Sequence, residues 1–313
     1  MAIISTPPNY AETLKSTESV RKLFELGTEP EFQKMIQRAN ERYADWHHFR
    51  YLPIPNGLTQ EEAWALLKLG RRANFKQAPF ADKVGAPFWY WIPDVLQRSL
   101  HDIDVWAGGN IVSEHPGPLP GKEQFIIRSL MDEAIASSQL EGAATTTKKA
   151  KELLRTGRKP KDRSEQMILN NWETMQFIRE NRKVSLSKEL VIEIHQRITS
   201  DTLDHPEDSG RLRTNNEIVV DYKGETVHIP PDFKLLPERL QAFCEFANED
   251  SQSKWVHPVI KAVMLHFWLA YDHPFSDGNG RTARVLMYWY LLSRDHLLFE
   301  YLAISRYIQR SPG

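Results

Sequence analysis

Apolar residues recur at helical spacing along most of the chain, so the sequence predicts a mainly α-helical protein. One apolar stripe in the segment 122–140 consists of Phe125, Ile126, Leu130, Ala134 and Ile135. Such a stripe is typical of a helix that turns one face toward a core. The predicted helices cover 31–49, 59–73, 94–106, 122–140, 148–155, 164–182, 187–199, 237–248, 258–271, 280–294 and 299–309.

Short β-branched runs occur in one region, and they predict a single β-hairpin. The runs EIVVDY, at 217–222, and ETVHI, at 225–229, flank Lys223 and Gly224, which form the predicted turn. By contrast, residues 79–93 are rich in proline, glycine and aromatic side chains. We predict that this second segment is an ordered loop.

A stretch dense in glycine and proline, at 108–121, predicts the main domain boundary. Residues 1–110 are expected to form an N-terminal helical region, and residues 121–313 a second domain. The predicted fold class is therefore mainly α: a helical N-terminal region packed on a helical core that carries one β-hairpin flap.

The composition excludes several classes of protein. The chain has 313 residues, of which 41% are hydrophobic, and its formal net charge of −1 argues against a nucleic-acid-binding surface over the whole chain. Cys244 is the single cysteine, so internal disulfides and cysteine-rich zinc sites are excluded and a reducing compartment is compatible. Neither a signal peptide nor an apolar run of about 18 residues is found, so we expect a cytoplasmic protein without membrane attachment.

Most of the candidate chemistry lies in the segment DHPFSDGNGRTAR, at 272–284, between two apolar helices. Gly278 and Gly280 allow backbone N–H groups to approach a ligand, and they precede a helix N-terminus, which favours anions. Arg281 and Arg284 are three residues apart, so they share a helix face and could hold two phosphate groups. Alone, the glycines would indicate an ordinary turn and the arginines an exposed helix face.

Three further polar residues of this segment change that interpretation. Asn279 can donate a hydrogen bond to a phosphate oxygen on which charge develops. Asp277 is an oxygen ligand suited to a Mg²⁺ ion that bridges phosphates. His273 has the side chain best matched to general-base work near neutral pH. The conjunction of these residues predicts phosphoryl or nucleotidyl transfer.

The same residues resemble a known signature. The pattern His-x-Phe-x-Asp-Gly-Asn-Gly-Arg-x-x-Arg, from His273 to Arg284, matches the signature loop of the Fic family (filamentation induced by cyclic AMP) at all eight defined positions. Gly210 and Arg213, which precede the predicted hairpin, are similar to the family's approach to its substrate flap. The resemblance implies a Fic domain over 121–313.

The resemblance implies a base, a nucleotide and a metal. His273 would deprotonate a Tyr, Thr or Ser hydroxyl of a target protein, and the hydroxyl oxygen would attack the α-phosphate of ATP. The product would be a target that carries AMP, with pyrophosphate released. Asp277 would ligate Mg²⁺ between the α- and β-phosphates.

The resemblance also assigns the contacts to each phosphate. Asn279 and the backbone amides of the loop, including Gly278 and Gly280, would hold the α-phosphate. Arg281 would hold the β-phosphate and Arg284 the γ-phosphate. His273, Asn279 and Arg281 would then form the catalytic set, because they act on the reacting hydroxyl and the reacting phosphates.

A second motif lies far upstream of the loop. The sequence SSQLEG matches the family's inhibitory motif, Ser/Thr-x-x-x-Glu-Gly/Asn, with Ser137, Glu141 and Gly142 at the defined positions. Its place resembles the subclass with an N-terminal inhibitory helix, here 122–142. Gly142 would end that helix, and the Glu141 carboxylate could pair with Arg284 and crowd the γ-phosphate. The resemblance thus implies autoinhibition.

The predicted hairpin is the candidate target-binding flap. An exposed strand edge can pair with an extended segment of a partner and set its hydroxyl in line. The alternative is a hairpin that packs on the core, and both can hold because alternate residues face opposite sides of a strand. The candidate target-binding residues are Val219, Val220, Val227 and Ile229.

Three alternatives to AMP addition stay open. The same site could remove AMP from a target with Glu141 positioning a water molecule, it could transfer another phosphate-containing group, or it could bind a nucleotide as a non-enzymatic regulator. The expected partners are ATP and a protein with a hydroxyl side chain, without a membrane or direct nucleic-acid binding. A homodimer through exposed helix faces is also left open.

Overall fold

The computed structural model describes residues 6–15, 17–55, 57–107, 122–222 and 224–310. The chain divides into two compact units, of which the first comprises Met1–Ala81 with Pro87–His101 and the second Asp82–Ala86 with Asp102–Gly313. The boundary predicted within 108–121 lies outside the described residues.

The first unit consists of helices and one hairpin. Thr59 opens its longest helix with the capping box that the sequence indicates, because the Thr59 hydroxyl accepts from the Glu62 N–H while the Glu62 carboxylate accepts from the Thr59 N–H. Its elements are α1 (Tyr10–Thr13), α2 (Thr17–Gly27), α3 (Pro30–Glu41), α4 (Trp46–Phe49), α5 (Gln60–Arg72), β1 (Lys76–Ala81), β2 (Pro87–Tyr90) and the start of α6 (Asp94–Ala107). Its core includes Phe32, Met35, Ala39, Phe49, Ala63, Trp64 and Leu67.

The prediction of one helix over 31–49 was wrong, because the segment forms α3 and α4 with a break between them. Arg71 of α5 explains the break. Its buried guanidinium donates to the carbonyl oxygens of Ala39, at 3.1 Å, and Ala44, at 2.9 Å. Tyr43, between these two, has a left-handed backbone with φ of 46°. A cation from another helix thus takes the carbonyl groups that a longer helix would use.

The prediction of a loop over 79–93 was also wrong, since β1 and β2 form an antiparallel hairpin with Lys76 opposite Tyr90. A two-stranded sheet has only edge strands, and an edge strand tolerates a residue without an N–H group. Pro79 and Pro87 are therefore compatible with these strands. The chain has this hairpin in addition to the one that the sequence predicts.

The second unit has the predicted mainly helical fold with an antiparallel β-hairpin, and the fold class is confirmed. In that hairpin Val220 lies opposite His228. Within the described ranges, no helix combines the length and the apolar character needed to cross a membrane. The elements are α7 (Lys122–Leu140), α8 (Thr147–Thr156), α9 (Arg163–Glu180), α10 (Lys188–Thr199), β3 (Val220–Tyr222), β4 (Glu225–His228), α11 (Leu236–Asn248), α12 (Pro258–Asp272), α13 (Asn279–Ser293) and α14 (Ile304–Arg310).

Helix α13 is the centre of the second unit. Residues 281–292 are buried on every side, which is typical of a helix enclosed by others. Helices α7, α9, α10 and α12 pack around it. In α7, Ile126 is buried as predicted, but Phe125 is 65% exposed, so its place in the inner stripe was wrong. The two residues lie about 100° apart around the helix axis, which puts Phe125 outside the buried face.

The prediction of one helix over 299–309 was wrong as well, because a 3-10 turn, Leu297–Tyr301, precedes α14. Tyr288 of α13 is the physical reason. Its hydroxyl accepts from the Ile304 N–H at 2.8 Å and donates toward the Leu302 carbonyl oxygen at 2.6 Å. Backbone groups that would continue a helix bond to this side chain instead.

Candidate active site

The predicted signature loop, 273–284, connects α12 to α13 and continues into the first turns of α13. His273 ends α12 with a left-handed backbone, φ 45°, and its N–H donates to the Leu269 carbonyl oxygen at 3.0 Å. Gly278 is the residue that caps α13, with φ of 79°. A Cβ atom there would lie 2.7 Å from Cγ2 of Thr199. Both the conformation and the space therefore require glycine at this position.

Side chains of the loop itself hold its shape. Asn279, which is 2% exposed, accepts from the Phe275 N–H at 3.0 Å and donates to the Phe275 carbonyl oxygen at 2.8 Å. Phe275 is buried under the loop. The Asn279 side chain therefore holds the shape of the loop. The sequence predicted a phosphate contact for this residue and did not predict this structural role.

His195 of α10 supports the loop from below, and sequence reasoning missed it. Its ring stacks on Phe275 with centroids 3.7 Å apart and 5° between the planes. Nδ1 accepts from the Gly210 N–H at 3.0 Å, so Nε2 carries the proton and donates to the Asp277 carbonyl oxygen at 2.9 Å. Burial lowers the pKa of His195 to about 4, which keeps the ring neutral. The sequence signal was a histidine on an apolar helix face, without any indication of its partners.

His273 is set up as a base. Its Nδ1 donates to the Ala270 carbonyl oxygen at 3.3 Å, which leaves Nε2 without a proton and able to accept one. Burial lowers the pKa of His273, so the neutral form is favoured. Arg213 fixes the backbone here. Its side-chain Nε donates to the His273 carbonyl oxygen at 2.9 Å, and its backbone N–H donates to the Pro274 carbonyl oxygen, also at 2.9 Å.

Arg213 also holds both ends of the segment that contains the β3–β4 hairpin. Its Nη1 donates to the Asn215 carbonyl oxygen at 2.7 Å, and its Nη2 donates to the carbonyl oxygen of Pro231. The side chain is buried. One guanidinium thus ties the residue that carries the base to the entry and the exit of the flap.

Arg281 is a buried cation with few partners. It is 1% exposed, its Nη1 donates to the Ile198 carbonyl oxygen at 3.2 Å, and its Nη2 lies 3.8 Å from Oδ1 of Asp277. Its Nε has no hydrogen-bond partner among the described residues. A buried guanidinium with an unused donor is the kind of group that an anionic ligand satisfies.

Arg284, one turn further along α13, is bound by α7. Its Nε donates to the Ser137 hydroxyl at 2.8 Å, and its Nη2 donates to the Ser137 carbonyl oxygen at 3.0 Å. The same Nη2 lies 2.8 Å from Oε1 of Glu141. The structure thus brings the upstream motif and the loop together.

Glu141 also touches the loop glycine. A Cβ atom at Gly280 would lie 2.1 Å from Oε1 of Glu141, so the carboxylate rests against the backbone of the first turn of α13. Free backbone N–H groups and the helix dipole favour an anion at such a place. Gly142, two residues beyond the end of α7, has φ of 91°, and its N–H donates to the carbonyl oxygen of Gln139 in the last turn of that helix. Glu141 therefore supplies the anion at this helix N-terminus.

Asp277 is half exposed at the mouth of the loop. Its Oδ1 accepts from the Gly278 N–H, and its Oδ2 lies 3.4 Å from Nη2 of Arg163. Arg163, the first residue of α9, also donates to Asp204 at 2.9 Å. Sequence reasoning did not assign Arg163 to the site. Within the described ranges, no group of three or more His, Cys, Asp or Glu side chains could hold a metal ion.

The β3–β4 hairpin exposes apolar side chains. Val219, Val227 and Ile229 are 39%, 59% and 53% exposed, and Val220 is half-buried. His228, which lies between Val227 and Ile229 in the chain, forms a hydrogen bond of 2.7 Å to the Tyr271 carbonyl oxygen at the end of α12. The hairpin is thus anchored on α12 while several of its valine and isoleucine side chains face solvent.

Residues 185–291 match the model of the Fic/DOC family. The matched range contains His195, Arg213, the β3–β4 hairpin and the loop as far as Arg284. Glu141 lies outside this range.

Two relatives are named as adenylyltransferases. A protein adenylyltransferase Fic of Nematostella vectensis is 29% identical over 292 residues, which cover 90% of this chain and 65% of the relative. The protein adenylyltransferase fic-1 of Caenorhabditis elegans is 32% identical over 97 residues, which cover 31% of this chain and 17% of the relative. The chain therefore spans less than two thirds of the length of these relatives.

Solved structures with a similar fold are Fic proteins. A Fic family protein from Desulfovibrio desulfuricans G20 superposes with a TM-score of 0.56 and 19% identity over 74% of this chain and 65% of that one. Fic-1 from C. elegans superposes with a TM-score of 0.55 and 16% identity over 96% of this chain and 91% of that one. At these identities the likeness is one of fold.

Proposed function

We propose that this chain, whose residues 185–291 match the Fic/DOC family model, is an autoinhibited protein adenylyltransferase. It would move AMP from ATP to a Tyr, Thr or Ser hydroxyl of a target protein. The single observation that carries the proposal is the place of the Glu141 carboxylate, which lies against Gly280 and 2.8 Å from Arg284. An anion already sits where a polyphosphate would bind, held by the residues that would bind it.

The proposed reaction begins at His273. Nε2 takes the proton of the target hydroxyl, since Nδ1 is committed to Ala270 and the lowered pKa keeps the ring neutral. The hydroxyl oxygen then bonds to the α-phosphorus of ATP. The bond from that phosphorus to the oxygen that bridges the α- and β-phosphates breaks, and pyrophosphate leaves with the electron pair.

The phosphates are proposed to lie along the N-terminus of α13. The backbone of Gly278, Asn279 and Gly280 would hold the α-phosphate, because the first N–H groups of a helix have no partner within it. Arg281 would hold the β-phosphate, and its unpartnered, buried Nε supports this role. Arg284 would hold the γ-phosphate. Charge that develops in the transition state then meets donors that are already in place.

Asp277 fits a magnesium ion. A Mg²⁺ ion is often held by one or two carboxylates together with substrate phosphates, and Asp277 offers a half-exposed carboxylate beside the proposed phosphate site. When bound, the ion would withdraw charge from the phosphate oxygens and so favour attack at phosphorus. Arg163, which now contacts the same carboxylate, would have to share it.

The proposed inhibition follows from competition for one side chain. Arg284 cannot direct Nη2 to both Glu141 and a γ-phosphate, and Glu141 places a negative charge where that phosphate would come. The Glu141 carboxylate and a γ-phosphate bound to the same guanidinium would repel each other strongly in a partly buried site. ATP would therefore bind more weakly, and in an unproductive position, until Glu141 moves away.

The flap is proposed to receive the target. An extended segment beside β3 or β4 would find free backbone groups at the strand edge and apolar contacts with Val219, Val220, Val227 and Ile229. Arg213 ties both ends of this segment to the carbonyl group of His273. A target on the flap would thus present its hydroxyl in a defined relation to the base.

Removal of AMP is the second candidate function. The observation in its favour is that the Glu141 carboxylate lies 2.8 Å from Arg284, at the proposed phosphate site, with 31% of its side chain exposed, so that it could hold a water molecule there. The two functions differ in what they require of Glu141. Addition is hampered by this carboxylate, whereas removal depends on it.

The test is intact-mass spectrometry after incubation with ATP and Mg²⁺. Wild type, Glu141→Gly and Glu141→Gly with His273→Ala are compared, and Glu180→Gly, at the end of α9, serves as the matched control. A gain of one adenylyl group that is strong only in Glu141→Gly supports the proposal. No gain in any variant, followed by removal of AMP from a modified protein by wild type alone, supports the second candidate. Gain of a phosphoryl group in place of AMP would point to transfer of another phosphate-containing group from ATP, and nucleotide binding without any gain to a regulator.

A further inference from the structure

A ladder of polar contacts with one rung per helical turn joins α7 to α13. Each rung places a polar α7 residue against α13, and the two helices run in opposite directions along the ladder. The α7 positions are Glu133, Ser137 and Glu141, and the α13 positions that face them are Tyr288, Arg284 and Gly280. Residues four apart lie on one face of a helix, so this ladder marks the face with which α7 meets α13.

Glu133 forms the rung furthest from the signature loop, and it is 2% exposed. Its Oε2 accepts from the Ser305 N–H at 2.8 Å, and its Oε1 accepts from the Ser305 hydroxyl. The Tyr288 hydroxyl lies 3.0 Å from the same Oε2. Both Ser305 and Tyr288 are 0% exposed. One buried carboxylate therefore binds α7 to α13 and to the start of α14.

The position of Glu141 depends on where α7 lies along its axis. A slip by one residue would move the carboxylate about 1.5 Å along the axis and about 100° around it. Either movement would break a contact of 2.8 Å between Glu141 and Arg284. The Glu141 side chain is 31% exposed and lies one residue beyond the end of α7, so its own burial does little to resist such a slip.

We propose that Glu133 is a positioning residue that sets the register of α7 so that Glu141 reaches Arg284 and Gly280. This inference rests on the proposed inhibition by Glu141. It names Glu133 as the residue that holds Glu141 in its inhibitory position. Among the described residues, the hydrogen bonds of Glu133 go to Ser305 and Tyr288, which lie outside the loop 273–284. A buried carboxylate that accepts both Ser305 donors and lies 3.0 Å from the Tyr288 hydroxyl is well suited to the task, because its removal leaves the Ser305 N–H and hydroxyl without this acceptor in the core.

The test compares Glu133→Ala with Glu133→Gln, which has nearly the same shape and keeps one acceptor oxygen. Asp132→Ala is the matched control, since Asp132 is the adjacent carboxylate of α7 and pairs with Lys151 and Arg306 rather than with α13. Hydrogen exchange is followed in the peptide that covers 136–144. The dissociation constant for ATP is measured on the same proteins.

Glu133→Ala is expected to speed exchange at the end of α7 and to bind ATP about tenfold more tightly than wild type, since a coupling of that size is typical of linked sites. Glu133→Gln and Asp132→Ala are expected to stay close to wild type in both measurements. In the Glu141→Gly background, Glu133→Ala is expected to leave the affinity for ATP unchanged, because the carboxylate that it positions is absent.

Three results would overturn the inference: unchanged exchange in Glu133→Ala, an equal change in Asp132→Ala, or the same gain in ATP affinity with and without Glu141. If Glu133→Ala does not fold, Ser305→Ala, which removes the hydroxyl that donates to Glu133, replaces it, and unchanged exchange at the end of α7 in that variant counts against the inference in the same way. Hydrogen exchange reports the position of α7 without any reaction. An ATP affinity that Glu141→Gly leaves at the wild-type value would therefore count against the proposed inhibition, while faster exchange in Glu133→Ala would still stand for the register.

Discussion

Arg284 is bound twice to Ser137, through Nε to the hydroxyl at 2.8 Å and through Nη2 to the carbonyl oxygen at 3.0 Å. The Glu141 carboxylate engages the same Nη2. The guanidinium fork that would suit a phosphate is therefore occupied by three groups of one helical segment. A ligand that needs both Nε and Nη2 of Arg284 must displace Ser137 and Glu141 from them.

Loss of the Ser137 hydroxyl should weaken this hold in part. We expect Ser137→Ala to raise ATP-dependent self-modification about tenfold, which corresponds to one charge-assisted hydrogen bond, because Arg284 keeps its contact with Glu141. The measurement is the rate of adenylyl gain by intact-mass spectrometry. Ser138→Ala is the matched control, since the Ser138 hydroxyl donates to the Met167 carbonyl oxygen instead. An equal rise in both variants would show that α7 is merely loosened.

The pH dependence should report the environment of His273. Burial lowers its pKa from the ordinary 6.5, so the neutral base persists below that pH. In the Glu141→Gly background, we expect the rate of self-modification to stay level from neutral pH down through 6.5 and to fall only at lower pH. His273→Ala in the same background should show no rate at any pH. A midpoint at or above 6.5 would contradict the assignment of this histidine as the base.

Acid should destabilise the fold through His195. Its pKa of about 4 is below the ordinary 6.5, so between these values the unfolded chain binds a proton that the folded ring does not. The free energy of unfolding should therefore fall as the pH drops from 6.5 toward 4, by at most about 3 kcal/mol from this group.

The check is a pair of urea titrations across that range for wild type and His195→Gln. The variant should be less stable at neutral pH and lose less on acidification. His205→Gln, at an exposed histidine, is the control and should behave like wild type. Parallel pH curves for wild type and His195→Gln would refute the prediction.

The flap should affect the target more than the nucleotide. Val227→Asp places a charge on an exposed apolar residue of β4, and we expect it to reduce modification of a protein target about tenfold. The affinity for ATP, measured by titration calorimetry, should not change. Val184→Asp, at an exposed valine between α9 and α10, is the matched control. Loss of ATP binding in Val227→Asp would argue that the hairpin belongs to the nucleotide site.

Features that are contiguous in sequence could be predicted without the structure. Most helices of the second unit follow from spacing within each segment, and the order of groups from His273 to Arg284 displays its predicted chemistry in one short stretch. The contact between Glu141 and Arg284 was a hypothesis from two motifs far apart in the chain. The structure shows that contact and adds a close approach to Gly280 that no pattern indicated.

Features that depend on a distant partner had to come from the fold. Arg71 ends α3, and Tyr288 interrupts the segment before α14, because each takes backbone groups of another element. The imidazole of His195 and the guanidinium of Arg213 become supports of the loop only where packing brings them to its carbonyl groups.

The sequence by itself determined the mainly helical class, and it supplied the predicted loop chemistry and the candidate inhibitory glutamate, since each depends on periodicity or on residues close together in the chain. The tertiary structure decided which side chains meet. The ring of His195 stacks on Phe275, and Glu133 of α7 accepts a hydrogen bond from the Ser305 N–H. The physical reason is that a buried polar group must find a partner, and which partner it finds depends on how the helices pack.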